Sequence, residues 1–216
     1  MTQTLQILQV VLFAIPTLTL LGIGAAILLR SVSIVDRRVF LGVFIPLLLA
    51  NTLSILQSET RLQMNWRAWL ILVADLALIA GAVWASRGFQ VYGLKADDVE
   101  RILGEALVKQ GFAVDIHSGE ARDLWGRVRE ARFLTAHTDQ QKQSFSITPR
   151  FNEVLLRGDH RRDERYLRQA LPVLKGQQVP YDFKAHTVGV LYIILALVFA
   201  VLAWIFFFEP RLILTE

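Results

Sequence analysis

The chain has 216 residues, 54% of them hydrophobic and 19% charged, with a net charge of +4, a pI near 9.7 and a mean hydropathy of +0.43. It contains no cysteine, which excludes disulfides, thiolate metal sites and a cysteine nucleophile. The basic excess is small and thinly spread, of the size that the orientation rule for membrane proteins produces by itself, and it argues against a nucleic-acid surface.

The apolar residues are gathered in four blocks rather than dispersed. The first runs from Leu5 to Leu29 and holds Pro16, Gly22 and Gly24, which transmembrane helices tolerate. It is longer than the apolar core of a signal peptide, and no Lys or Arg precedes it, so a cleaved signal is not expected. The second runs from Val39 to Gln57 with Pro46 near its middle, and the third from Trp66 to Arg87, interrupted by Asp75. The fourth runs from Thr187 to Phe208. Each has about the twenty residues that cross a bilayer core. The expectation is four transmembrane helices in a 3+1 arrangement: a three-span region over 1–87, a small α+β domain over 88–185, and a fourth span with a short outer tail over 186–216.

Basic residues near the span ends set the orientation. The first connection and the domain together carry Arg30, Arg37, Arg38, Arg87, Lys95, Arg101, Arg168, Lys175 and Lys184, against Arg61, Arg67 and Arg211 on the other side. This balance predicts a cytoplasmic domain and both termini outside, in a plasma or inner membrane. Trp66, Trp69, Trp84 and Trp204 lie near predicted span ends, as an aromatic belt would.

Within the polar block, Phe89 to Leu94 alternates and reads as a strand. Ala96 to Gln110 is the clearest soluble helix, with Val99, Ile102, Leu103, Ala106 and Leu107 on one face and Gly111 placed to close it. Phe112, Val114 and Ile116 alternate as a second strand, followed by the turn-like His117-Ser118-Gly119-Glu120. Strands are expected over Arg132 to Thr138, Ser144 to Thr148 and Glu153 to Arg157, with Asp139-Gln140-Gln141 joining the first two. A second helix, Arg161 to Lys175, carries Tyr166, Leu167, Ala170, Leu171 and Leu174 on its apolar face, and Pro172 is expected to bend or shorten it. The order β-α-β-β-β-(β)-α predicts helices on one face of a mainly antiparallel sheet, as in a ferredoxin-like or similar two-layer sandwich.

The candidate residues fall into two groups. By helical rise, Asp75 lies about 3 Å from the centre of its segment, where an ionisable residue costs roughly 2.5–3.5 kcal/mol on insertion scales. Asn51, at similar depth on the preceding segment, is its expected partner, and Thr17 and Thr19 could complete a small intramembrane polar cluster. In a functional reading Asp75 carries a proton, binds a cation or pairs with a basic group of another subunit. The structural reading, a neutral carboxyl hydrogen-bonded to Asn51 between helices, is preferred, because the other spans hold no basic residue or histidine to make a path.

The second group is basic. Arg161, Arg165 and Arg168 share a helix face with Arg157 just before it, and Arg127 and Arg129 share a strand face. These residues could meet anionic headgroups or a partner's acidic surface. Interleaved acids, Asp159, Asp163 and Glu164, favour ordinary solvated, ion-paired faces instead. The four histidines show no metal-ligand spacing, and no catalytic or phosphate-loop motif is present, so neither a metal nor a cofactor nor catalysis is expected.

Small residues at four-residue spacing, Gly42, Pro46, Ala50 and Ser54, and the sets Ala74, Gly81, Ala85 and Ala196, Ala200, favour close helix packing. The expected role is a non-catalytic accessory, scaffold or assembly subunit of a membrane complex. Its partners would be the lipid bilayer and another membrane protein or a second copy of the chain. The alternative is a membrane-embedded sensor or carrier of a small ligand or ion that uses Asp75 under a regulatory domain.

Overall fold

The computed structural model describes residues 2–59, 66–122, 128–138, 141–150, 152–177, 179 and 182–208. The elements in chain order are α1 (Thr2–Leu29), β1 (Ser33–Asp36), a 3-10 turn (Arg37–Phe40), α2 (Leu41–Glu59) and α3 (Trp66–Ala85). There follow β2 (Phe89–Tyr92), α4 (Ala96–Lys109), β3 (Ala113–Arg122), β4 (Val128–Thr138), β5 (Gln141–Pro149), β6 (Val154–Gly158), α5 (Arg161–Lys175) and α6 (Phe183–Phe208). They form two compact units. One is helical and apolar, made of Met1–Ala25, Arg38–Ser86 and Val190–Glu216; the other, Ala26–Arg37 with Arg87–Gly189, contains the sheet.

In the helical unit, two helices are long and apolar enough to cross a membrane: α1 over Val10–Leu29 and α6 over Phe183–Ile205. Helices α2 and α3 occupy the second and third apolar segments, but among the described residues they do not meet that measure. Among the described residues α3 contributes a shorter apolar stretch, Trp69–Val83. Leu20 of α1, Val43 of α2 and Ala196 of α6 form a buried cluster, joined by Leu21, Leu47, Tyr192 and Phe199. Gly42 lets α2 approach α1, since a Cβ there would lie 3.1 Å from Thr19 Oγ1. Pro46 and Ala50 are buried on the same face of α2, whereas Ala74 and Gly81 of α3 are exposed.

The sheet unit holds six strands in the order β1-β2-β6-β5-β4-β3, every neighbouring pair antiparallel. Strands β3 to β6 form a meander and β2 closes onto β6. A ferredoxin-like sheet follows the order β-α-β-β-α-β, whereas here four strands, β3 to β6, follow one another with no helix between them, so that variant is not what forms. Two further departures concern the strands themselves. The connection between α1 and α2, read from sequence as part of the membrane region, supplies the edge strand β1, with Ser33 opposite Tyr92 and Asp36 opposite Phe89. The stretch His117-Ser118-Gly119-Glu120, expected to turn, runs straight through β3. Gly119 is needed there because a Cβ would lie 2.9 Å from the ring of Phe133, which also stacks on His117.

Helices α4 and α5 cover one face of the sheet. Val99, Ile102, Leu103 and Leu107 of α4 meet Leu167, Ala170, Leu171 and Leu174 of α5 over Phe89, Val91, Leu134, Phe145, Ile147 and Leu156. Burying a large aliphatic or aromatic side chain contributes about 1.5–3 kcal/mol, so this cluster is the main source of the unit's stability. The first turn of α4 is tied down by Arg132 of β4, which forms ion pairs with Asp97 and with Glu100, the latter at 2.7 Å. Hydrogen bonding to Glu100 raises the Arg132 guanidinium above its ordinary value.

Gly93 and Gly111 share a φ of +87° but differ in surroundings. A Cβ at Gly93 would run into the carbonyl oxygen of Ser31, whereas at Gly111 it meets nothing within 4 Å. Gly111→Ala is expected to cost about 1–2 kcal/mol, the ordinary penalty of a left-handed backbone. Gly93→Ala is expected to cost distinctly more, read as a larger drop in the thermal midpoint of the purified chain. Equal losses would show that the approach of Gly93 to Ser31, just ahead of β1, is not tightly constrained.

Candidate functional site

Helix α3 places one acid against α2. Of the residues from Trp69 to Val83, only Asp75 is buried, 6% exposed, while Leu72, Ile79 and Ala82 on the same side are half-buried. Its carboxyl Oδ2 lies 2.7 Å from Thr52 Oγ1 and accepts from Asn51 Nδ2 at 3.3 Å. Thr52 Oγ1 is also 3.0 Å from the Leu48 carbonyl oxygen, one turn back on α2. A hydroxyl has one proton and cannot donate to both acceptors at once. The Thr52 proton is therefore shared between the Leu48 carbonyl and the Asp75 carboxyl, serving one at a time.

Thr17 and Thr19 do not take part. Their hydroxyls donate to the carbonyls of Phe13 and Ile15 in their own helix, at 2.9 and 2.8 Å. Sequence depth finds Asn51 but misses Thr52, the shorter contact. Its signal was adjacency: one residue further along α2, Thr52 shares nearly the same depth, and its hydroxyl can turn toward α3.

The basic residues are dispersed across the sheet unit. Arg168 of α5 turns down onto the sheet, forming an ion pair with Asp36 of β1 and covering the Phe89 ring at 5.4 Å. Arg165 points outward and is exposed; Arg161 opens α5. Arg157 lies on β6, on the opposite face of the sheet from α5, and Arg129 on β4 is half-buried. Arg127 lies outside the described residues. Of the acids between them, Asp159 is exposed as expected and two are not. Asp163 and Glu164 are buried, and Asp163 accepts from the His160 backbone N–H at 3.0 Å, capping α5.

Beside the Arg168–Asp36 pair lies a cavity of about 290 Å³, floored by Ile34, Phe89, Leu171 and Pro172, with Lys175 at its rim. Its apolar floor and charged edge have the character of a small-molecule site, at the lower end of the usual size. Because Asp36 already neutralises Arg168, Lys175 supplies the cavity's remaining positive charge. Asp36 could not be chosen from sequence, since its role follows from β1 joining the sheet.

The histidines occupy separate places. His137 lies 3.6 Å from Asp115 across the β3–β4 ladder, His117 stacks on Phe133, and His186 Nδ1 is 3.0 Å from the Asp182 carbonyl oxygen. Among the described residues no three His, Cys, Asp or Glu side chains converge to hold a metal ion.

Together these features define an antiparallel sheet-and-helix unit interleaved in the chain with apolar helices, one of which carries a buried, hydrogen-bonded acid. No family model, no curated protein and no solved structure matches this chain.

Because the Thr52 contact is the shorter, Thr52→Val and Asp75→Asn should couple more strongly than Asn51→Ala and Asp75→Asn. A double-mutant cycle read from unfolding in mild detergent is expected to give about 0.5–1.5 kcal/mol for the first pair. Zero coupling would mean that the carboxyl does not bind α2 in the folded protein.

Proposed function

We propose that the chain is a four-span membrane protein with both termini outside and its sheet unit in the cytoplasm. In this reading it is a non-catalytic accessory, scaffold or assembly subunit of a membrane complex. The observation that carries the proposal is the way the chain weaves between helices and sheet. The sheet unit is joined to apolar helices at four places, α1 to β1, β1 to α2, α3 to β2 and α5 to α6, rather than by a single tether. A domain held at four short links is poorly suited to swing as a mobile catalytic or carrier module and well suited to serve as a fixed platform.

Helix α3 supports the same reading. Leu70, Val73, Leu76 and Leu78 are each more than half exposed, an apolar surface that soluble proteins avoid and that lipid or another helix would cover. The distribution of basic residues supports the orientation. The sensor or carrier reading rests on Asp75 responding to pH or a cation, and the hydrogen bonds of Asp75 to α2 favour the structural role instead.

Two experiments test the proposal. The chain has no cysteine, so each introduced one is a unique probe. Ser118→Cys is expected to resist a membrane-impermeant thiol reagent in intact cells, and Thr2→Cys to react; the reverse pattern rejects the orientation. Cross-linking in native membranes with mass spectrometry is expected to return a reproducible membrane partner or a second copy. A monomer alone would reject the accessory role. Asp75→Asn is expected to leave pH response unchanged while altering association; loss of a pH- or cation-dependent response would favour the sensor.

A further inference from the structure

The cavity beside α5 runs along one ridge of that helix. Arg168, Leu171, Pro172 and Lys175 fall at i, i+3, i+4 and i+7, so they share a single face. The order along the ridge is cation, apolar pair, cation. At 1.5 Å per residue the two cations leave the helix about 10 Å apart along its axis. The facing wall comes from the edge of the sheet: Ile34 and Asp36 on β1, and Phe89 on β2, which the register sets opposite Asp36. The cavity between these walls holds about 290 Å³, and all of its lining belongs to the sheet unit.

Charge and volume together narrow what fits. The guanidinium of Arg168 donates to Asp36 through Nη2 and covers the Phe89 ring, which fixes its place at one end of the cavity. Half of its side chain remains exposed, and a guanidinium has five N–H donors, so the Asp36 contact does not exhaust it. Lys175, also exposed, forms no ion pair or hydrogen bond among the described residues. Two cations and one carboxylate therefore line the space, which suits one negative charge and repels a cation. Between the two cations the surface is apolar, formed by Ile34, Leu171 and Pro172. At about 30 Å³ for a water-sized group, the volume takes roughly ten such groups, a carboxylate and an apolar body of about seven carbons. A full-length lipid acyl chain would overfill it.

We propose that this cavity binds a small carboxylate with a compact apolar body. The carboxylate is held by Lys175 and the free edge of Arg168, and the body lies on Ile34, Leu171 and Pro172. Charge-assisted hydrogen bonds fix the polar end, and burial of the apolar end supplies affinity that a bare anion lacks. A ligand seated there touches β1, β2 and α5 at once. It therefore binds only when β1 is paired into the sheet, and by mass action it stabilises that pairing. Strand β1 is the link between α1 and α2 in the chain, so the ligand tightens a connection between two apolar helices.

The test uses the full chain purified in neutral detergent at fixed ionic strength, so that general screening is constant. Fluorine NMR follows para-fluorophenylacetate, with empty micelles of the same detergent as the baseline. Saturable broadening beyond that baseline is expected, reversed by unlabelled phenylacetate. Acetate, which lacks the body, and phenylethanol, which lacks the charge, are each expected to compete far more weakly. Lys175→Gln is expected to weaken binding about tenfold, the loss of roughly one charge-assisted contact, while Lys175→Arg binds like the wild type. Lys175 is exposed, so an unchanged thermal midpoint of the free variant separates lost binding from a folding defect. Amide exchange across Ser33–Asp36 is expected to slow when the ligand is bound. The proposal is overturned if broadening does not exceed the micelle baseline, or if phenylethanol competes as well as phenylacetate. Wild-type affinity in Lys175→Gln, or binding that leaves exchange in β1 unchanged, overturns it as well.

Discussion

The pairing of β1 with β2 is the contact on which the rest of the sheet unit depends. Only four residues long, β1 is drawn from the chain between two apolar helices and completes one edge of the sheet. Its antiparallel register rests on backbone hydrogen bonds and on Gly93, whose left-handed backbone and missing side chain let the chain pass close to Ser31. Strand alternation then assigns its side chains to two opposite faces. Ile34 and Asp36 turn toward α5, where they line the cavity and pair with Arg168. Ser33 and Val35 turn away, and Arg37 follows next in the same alternation. A slip of one residue would exchange the two sets and dismantle both features.

The protein handles its charges in three different settings. On the helix face, Arg132 and Arg168 are matched by acids, so those contacts fasten α4 and β1 without leaving a surplus. On the opposite face Glu153 is shared between Arg150 and Gln90. Between α2 and α3 a single acid has no basic partner among the described residues, and polar side chains of α2 serve it instead. An isolated carboxylate in apolar surroundings is far costlier than a hydrogen-bonded neutral group, so such neighbours are what a buried acid requires.

Much of this was legible before any tertiary structure. The helical stripes of α4 and α5 follow from apolar spacing alone, and both helices lie where that spacing puts them. The partnership of Asn51 and Asp75 follows from depth along antiparallel segments. Other parts were hidden for identifiable reasons. Strand β1 is too short to show a period and is flanked by the charged run Asp36-Arg37-Arg38, which reads as a loop. The turn-prone His117-Ser118-Gly119-Glu120 is held extended by its cross-strand neighbours, with Phe133 lying over Gly119 and His117. Local preference yields there to a ten-residue ladder with β4.

What the sequence determined by itself is the division of labour along the chain: apolar helices, a polar α+β stretch, and a lone acid deep in the third segment. Those conclusions rest on composition, periodicity and rise per residue, all local quantities. Only the tertiary structure decided that the first connection belongs to the sheet and that Thr52 stands nearer to Asp75 than Asn51 does. Each of these depends on contacts between residues far apart in the chain. The ladder registers and helix rotations that create them are settled by packing the whole unit, not by any one segment.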